Sequence, residues 1–173
     1  MAAGVEMNKG TLSSVQMATV VALRLLIGWH FLYEGLSKLT APAWSAKGFL
    51  LQSRGPTAEL FRWMAADPER LELVNQLNMW GLTLIGLGLI LGCFTRLASA
   101  SGILVVLLFY LCNPPFVGYF YSIPTEGSYL IVNKNLVELA ALAVILVTGS
   151  GLVMGLDRII HGLLGKRDRP DEA

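Results

Sequence analysis

The sequence predicts an all-α fold: a polytopic membrane protein built as a four-transmembrane-helix bundle, with an interfacial helix between spans 1 and 2. Of 173 residues, 54% are hydrophobic and 14% are charged, whereas soluble domains carry ~25% charged residues. The mean hydropathy is +0.60. Apolar runs place the four spans at about 16–39, 78–94, 97–112 and 130–148. We therefore expect one integral membrane domain over 1–173, with the lipid bilayer as its main surrounding.

Composition also excludes several classes of function. The net charge of +1 gives no reason to expect a nucleic-acid partner. The two cysteines, Cys93 and Cys112, do not form a CxxC motif and are predicted at opposite membrane surfaces, so we expect no disulfide between them. No metal site is predicted.

Span 1 is the stretch on which the functional prediction depends. It carries four ionisable residues in an otherwise apolar run, and on a helical wheel they share one face with small residues: Arg24, His30, Glu34 and Lys38. An arginine at the centre of a span raises the free energy of membrane insertion by ~2.5–3.5 kcal/mol, while each large apolar residue lowers it by only ~0.3–0.6 kcal/mol. Glu34 and Lys38 are four residues apart and can pair. Arg24 has no such partner on its own helix, so we expect one on another helix.

The segment between spans 1 and 2 is predicted to be partly helical. Residues 40–55 resemble an irregular interfacial stretch, and residues 56–66 a short helix with an apolar stripe. That stripe (Leu60, Phe61 and Met64) would either lie on the membrane surface or cap the bundle. Capping is favoured, because one polar site needs covering.

Span 2 has a clear start signal and a glycine-rich membrane half. Asp67-Pro68 combines an N-cap acceptor with proline at the first helical position, so the helix should run from Pro68 past Cys93. Gly88 and Gly92 have GxxxG spacing, which predicts close helix packing.

Span 3 ends at Cys112, and an aromatic loop connects it to span 4. The loop aromatics would form either an interfacial belt or the mouth of a pocket for a flat ring. Span 4 holds four polar residues in its first half: Asn133, Lys134, Asn135 and Glu138. A basic tail, 156–173, follows.

Charge asymmetry predicts the orientation. Arg96 and the basic tail lie on one side, and the loop 113–129 has no lysine or arginine. The positive-inside rule then puts both termini in the cytoplasm, with the protein in the cell (inner) membrane.

Four spans bring the end of span 1 and the start of span 4 to the same membrane level. There the polar residues of both spans should converge, with Arg24 and Glu138 predicted as a central ion pair. Buried ionisable groups in membranes are functional-site hypotheses. The alternative is that they only hold the helices in register.

The runs ALRLLIGWHFLYEGLSKL, GLGLILGCFTRLAS and EGSYLIVNKNLVELAAL resemble the DoxX/DoxD membrane proteins, a group that includes the membrane subunit of thiosulfate:quinone oxidoreductase. The similarity covers roughly residues 18–148. It implies quinone-linked oxidation of a small sulfur anion such as thiosulfate. The recurring polar positions of the family are matched by Arg24, Glu34, Lys38, Arg96, Asn135 and Glu138.

The leading hypothesis is a quinone-dependent oxidoreductase subunit that works with a diffusible quinone and a soluble or membrane partner subunit. Glu34, Glu138 and His30 would relay protons. A second set would bind the anion or the quinone oxygens: Arg24, Lys38, Asn135, Lys134 and Arg96. The alternative is a non-enzymatic scaffold or assembly factor whose buried charges are structural. A second copy of the chain, in a homo-oligomer, is a further candidate partner. A carrier function ranks last, because no broken helix or inverted repeat is visible.

Overall fold

The computed structural model describes residues 12–122 and 130–164, apart from the Leu164 side chain. All regular elements in these ranges are helices, and the described part contains no strand: α1 Ser14–Thr40, α2 Lys47–Leu51, α3 Ala58–Ala66, α4 Pro68–Leu91, α5 Thr95–Cys112, α6 Lys134–Thr148, α7 Ser150–Val153 and α8 Leu156–Leu164. The all-helical prediction is confirmed.

Three of the described helices are long and apolar enough to cross a membrane: α1, α4 and α5. They correspond to predicted spans 1, 2 and 3. The helix at predicted span 4, α6, has 15 residues and begins at Lys134, four residues after the predicted start at 130. The Asn133 side chain accepts a hydrogen bond from the Leu136 amide, which fixes this later start.

The helix ends follow local sequence signals. Ser13 and Gln16 form a reciprocal capping box, so α1 begins two residues before the predicted boundary at 16. Asp67 caps α4 as predicted, with its carboxylate accepting from the Arg70 amide at 3.0 Å. At the other end of α4, Gly92 adopts the left-handed conformation (φ 62°) and stops the helix at Leu91, before Cys93.

Four helices pack in a ring, α1 on α4, α4 on α5, α5 on α6 and α6 on α1. Glycines set the closest approach between α1 and α4: a Cβ on Gly28 would lie 2.9 Å from the Ile90 side chain, and one on Gly86 would overlap the Leu32 backbone. Because low-numbered residues of α1 face high-numbered residues of α4, the two helices run antiparallel. Gly81, in the same half of α4, has open space around it, so not every glycine of this helix serves close packing.

The core is apolar and continuous through the ring. It contains side chains from α1, α4, α5 and α6: Ile27, Phe31, Leu82, Ile85, Leu89, Ala98, Val106, Leu142 and Ile145. On the face of α1 away from this core, Leu26, Trp29 and Tyr33 are each more than half exposed, as expected for side chains that contact lipid.

A second, smaller cluster joins α2 and α3 to the ring. Leu50, Phe61 and Ala65 pack around Cys112 at the end of α5. The Arg54 amide donates to the Cys112 carbonyl, and the Thr57 hydroxyl donates to the Leu111 carbonyl. Of the predicted stripe on α3, Phe61 is buried while Leu60 is 49% exposed. This segment therefore packs against the end of α5, and the capping interpretation stays a prediction.

Candidate functional site

The ring has two different ends. One end, called the pocket end below, holds the C-terminal half of α1, the first turn of α6 and the α2 segment. The other end, called the closed end, is formed by Arg24, the Gly92 turn and the segment 150–157. Both contain ionisable side chains at the level of the helices, and their geometry differs.

The pocket end encloses a cavity of about 940 Å³, called the pocket below. Its ionisable lining is His30, Glu34, Lys38, Lys134 and Glu138, which are five of the eight predicted site residues, and Asn135 is a sixth. The sequence therefore placed the polar residues of α1 and α6 together correctly. The roles assigned to them remain predictions.

Two ion pairs organise the polar lining. His30 Nδ1 lies 2.7 Å from Glu138 Oε1, and this contact joins α1 to α6. Lys38 pairs with Glu34 one turn earlier on α1, as the four-residue spacing predicted. Lys38 Nζ also lies 5.7 Å from the centre of the Trp44 ring. The side chain of Glu138 is 13% exposed and that of His30 is 48% exposed, so the histidine is the accessible member of its pair.

Aromatic and apolar side chains form the remaining walls of the pocket. They come from α1, the α2 segment, the middle of α4, the end of α5 and the loop that follows it: Phe31, Trp44, Phe49, Leu82, Phe109, Phe116, Tyr119, Phe120 and Tyr121. Phe49 and Phe109 stack edge to face at 5.7 Å. The aromatic loop is thus part of a pocket wall over the residues 116–121, and the rest of the predicted mouth, including Tyr129, lies outside the described residues.

Tyr121 is held in its neutral form. Burial raises the pKa of its phenol to about 12. Its hydroxyl donates to the Pro114 carbonyl at 2.8 Å. At physiological pH the Tyr121 phenol is therefore neutral and donates its hydrogen bond to the loop backbone.

Sequence reasoning missed the contribution of α4 to this site. Asn78 and Leu82 line the pocket from that helix. Asn78 was visible as a polar residue just before the apolar run of α4. Its position toward the pocket depends on how α4 rotates when its glycines pack against α1, which the sequence alone does not specify.

The closed end contains Arg24, whose predicted pairing with Glu138 is wrong. Arg24 is 2% exposed, and its Nη2 donates to the Met154 carbonyl at 2.6 Å while Nη1 lies 3.5 Å from Ser150 Oγ. The helix carrying Glu138 begins four residues later than predicted, so Glu138 lies ~6 Å from its start instead of ~12 Å. Glu138 therefore reaches His30 at the pocket end, and Arg24 is left to backbone and hydroxyl acceptors.

Asp157 completes the closed end. Its carboxylate accepts from the Phe94 amide at 2.6 Å and from the Thr95 amide at 2.9 Å, and its own amide donates to the Gly92 carbonyl at 2.8 Å. Burial acts to raise the pKa of Asp157, but the hydrogen bonds from Thr95 and Phe94 outweigh it, and the pKa lies below its usual value.

No room is left around these groups. A Cβ on Gly155 would lie 2.7 Å from the Gly92 carbonyl oxygen, and one on Gly151 would overlap Thr95 and Asp157. Arg96 is exposed at this same end. Arg24 and Arg96, both predicted to bind substrate or quinone, are therefore not among the residues that line the pocket.

Comparison with known proteins gives the family. A model of the DoxX family matches residues 19–112, which is more than half of the chain. The chain belongs to the DoxX family. No curated protein and no solved structure matches it.

The DoxX match runs from the start of α1 to the end of α5. It includes the pocket residues His30, Glu34 and Lys38, and it stops before Lys134 and Glu138. The family membership and the three apolar helices establish a membrane protein. Within the described residues, no group of three or more histidine, cysteine or acidic side chains is arranged to hold a metal ion.

Proposed function

We propose that this protein is the quinone-binding membrane subunit of an oxidoreductase, and that the pocket receives the quinone head group. The observation that carries this proposal is the His30–Glu138 pair at 2.7 Å, which lies in a cavity with aromatic walls between α1 and α6. A titratable pair beside apolar walls suits a flat, weakly polar ring whose oxygens gain and lose protons.

The depth of His30 supports a ligand that arrives from the lipid phase. His30 lies ten residues before the end of α1, or ~15 Å along that helix, and its partner Glu138 lies ~6 Å into α6, so the pair lies within the helical ring and below its end. A histidine that is 48% exposed at this depth faces the pocket instead of bulk water. A membrane-soluble quinone reaches such a site by lateral diffusion, whereas a hydrated anion would have to leave water.

The charges favour a neutral ring over an anion inside the pocket. Lys38 is paired with Glu34, so an anion would have to compete with a carboxylate already in place. In this proposal Lys38 and Lys134 orient a quinone oxygen, and Asn135 offers a further polar contact. Oxidation of a small sulfur anion such as thiosulfate would occur on a partner subunit.

The chemistry assigned to this chain is proton exchange. Reduction of a quinone to a quinol consumes two electrons and two protons. The electrons come from the substrate oxidised on the partner subunit. His30 and Glu138 deliver one proton to a quinone oxygen, and Glu34 with its partner Lys38 delivers the other, each group being recharged from water at the pocket end.

The proposal includes α6 as the fourth span. Its 15 residues extend ~22 Å, and after Glu138 it carries no further charge up to Thr148. It packs against α1 and α5, which are long enough to cross a bilayer. In this arrangement α3 is the interfacial helix at the pocket end, and both chain termini are cytoplasmic at the inner membrane.

The test is quinone reduction by membranes that contain the protein and its substrate, with a short-chain quinone as the acceptor. We expect Glu138→Gln and Glu34→Gln to reduce turnover strongly while both variants fold. Glu59→Gln is the matched control, because Glu59 belongs to α3 and is not among the pocket-lining residues. Wild-type turnover in both pocket variants would refute the proton roles.

The scaffold alternative has its own signature. If the chain purifies in mild detergent with one stoichiometric protein partner and mass spectrometry finds no bound quinone, the buried charges are structural. Retention of a quinone by the wild type, and its loss in Glu138→Gln, would support the pocket.

A further inference from the structure

The last described helix, α8, has two chemically different faces. Around the helix, the apolar side chains Leu156, Ile159, Ile160 and Leu163 fall on one side, and Arg158 and His161 fall on the other. Ile159 is 58% exposed and Leu163 is 67% exposed. In the sequence this segment was interpreted as the start of a basic tail, and the helix was not predicted.

This helix is not a loose tail, because four hydrogen bonds attach it and the residue Met154 before it to the ring. Asp157 accepts from the amides of Phe94 and Thr95 at the start of α5. The Asp157 amide donates to the Gly92 carbonyl, and Arg24 holds the Met154 carbonyl just before the helix. The position of α8 is therefore fixed at the closed end, directly beside the point where α4 ends and α5 begins.

The apolar face of α8 continues a surface that already faces lipid. Next to it along the chain, Val153 is 47% exposed and Met154 is 65% exposed. Across the closed end, Phe94 and Leu97 are 64% and 67% exposed. Large apolar side chains exposed on a spanning helix are covered by acyl chains, so the neighbouring face of α8 meets the same environment.

The charges at this end match lipid head groups. Arg96 and Arg158 are exposed, while the Asp157 carboxylate, next to Arg158 in the sequence, accepts the amides at the start of α5. Two exposed guanidinium groups beside an apolar surface are complementary to the phosphates of lipids.

We propose that α8 is an interfacial helix whose partner is the lipid bilayer: it lies flat at the closed end, with Ile159 and Leu163 in the acyl chains and Arg158 among the phosphates. The segment is thereby a membrane-surface anchor that α5 and Arg24 hold at a fixed depth. It is independent of the pocket and of the quinone proposal.

The experiment places nitroxide labels on the full-length protein in nanodiscs of phosphatidylcholine and phosphatidylglycerol. Cys93 is replaced by serine, and Cys112 stays because it is fully buried. Single cysteines are introduced as R158C, I159C, H161C and L163C, with L104C as the lipid-facing reference in α5. Collision with oxygen reports lipid, and collision with a water-soluble nickel chelate reports water.

We expect labels at 159 and 163 to match the reference in α5, with high oxygen and low nickel accessibility, and labels at 158 and 161 to show the reverse. This alternation with the helical period is the signature of a helix lying in the interface. High nickel accessibility at all four positions would overturn the proposal, because the helix would stand in water. Low accessibility to both reagents at 159 and 163 would also overturn it, because protein would cover that face.

Discussion

The ionisable side chains at the two ends of the ring have different surroundings. At the closed end, Arg24 is 2% exposed and contacts the Met154 carbonyl and Ser150, beside glycines packed too closely for a side chain. At the pocket end, His30 and Glu138 pair across two helices and face a cavity of about 940 Å³. The first arrangement stabilises the fold, and the second leaves titratable groups within reach of a ligand.

This difference teaches how to interpret ionisable residues in a membrane sequence. Arg24 and His30 lie six residues apart on one helix, and both are expensive to bury in lipid. Their sequence neighbourhoods are alike, since each lies directly between two large apolar or aromatic residues: Leu23 and Leu25 for Arg24, and Trp29 and Phe31 for His30. What separates a structural role from a site is whether the partner groups fill the space around the charge.

The largest expected effect separates activity from stability. Glu138→Gln should lower quinone turnover by about 10²-fold or more, the usual contribution of a positioned proton donor, with little loss of thermal stability. Arg24→Lys should instead lower the thermal stability and leave turnover per folded molecule nearly unchanged, because it removes the Nη2 contact to Met154 and weakens the fold. Turnover per folded molecule and melting temperature in detergent are measured for both. Equal loss of turnover in the two variants would remove the distinction between the ends.

A glycine pair compares packing at the two ends. Gly155→Ala should destabilise the protein by about 1–3 kcal/mol, because its Cβ would meet backbone atoms of Gly92 and Gly151 that cannot move aside easily. Gly48→Ala, beside the pocket, should be neutral or slightly stabilising, since nothing lies within 4 Å of its Cβ. Thermal unfolding of both variants checks this. A tolerated Gly155→Ala would mean that the closed end is looser than described.

The contribution of Asp157 to the stability of the closed end depends on pH, and the direction of that dependence follows from its pKa. Its folded pKa is lowered, so its contribution to stability is complete above the unfolded value of ~3.9 and is lost as pH falls through the folded pKa. Asp157→Ala should cost about 0.5–2 kcal/mol at neutral pH, as expected for loss of a helix cap. The difference from wild type should shrink in acid.

Asp67→Ala, which removes the cap of α4, serves as the comparison for Asp157→Ala. The two variants are unfolded with denaturant at pH 7 and at several acid pH values. If the deficit of Asp157→Ala stays constant down to the lowest pH, the Asp157 carboxylate does not cap α5 in the way described.

The smallest expected effect concerns the ion pair within α1. Lys38→Gln should change stability by only about 0.2–0.5 kcal/mol, typical of pairs four residues apart. It should nevertheless weaken quinone binding, because it removes a cation from the pocket. Binding of a short-chain quinone is followed by fluorescence of Trp44, with Trp44→Phe as the control for signal from the other tryptophans. Unchanged affinity would exclude Lys38 from the binding site.

Much of the fold followed from the sequence because its signals are local. Asp67-Pro68 predicted the start of α4, and three of the four spans that the apolar runs predicted are helices of spanning length. The sequence also predicted that His30 and Glu34 lie near the start of α6, because consecutive spans are antiparallel. The predicted helix ends differ from the observed ones where a cap at Ser13, Gly92 or Asn133 sets the end of the helix.

The partner of Arg24 could not be predicted, because it is a main-chain carbonyl. Every residue carries such a group, so sequence composition does not mark Met154 as special. The available signal was the run of small residues after α6, with Gly149, Gly151 and Gly155 spaced to admit a close approach. It indicates close packing of the segment, but not which side chain from another helix packs there. The helix α8 was missed for a related reason, since nine residues with two charged side chains resemble a polar tail.

The most direct test of the central claim is to locate a bound quinone on the chain. A photoreactive short-chain quinone is activated in nanodiscs that contain the wild-type protein, and the labelled peptides are mapped by mass spectrometry. We predict label within 44–49 and 109–121, around the pocket, and its loss when an excess of unreactive quinone competes. Label at the closed end, within 92–96 or 150–158, or label along the lipid-facing helices that competition does not remove, would contradict the account.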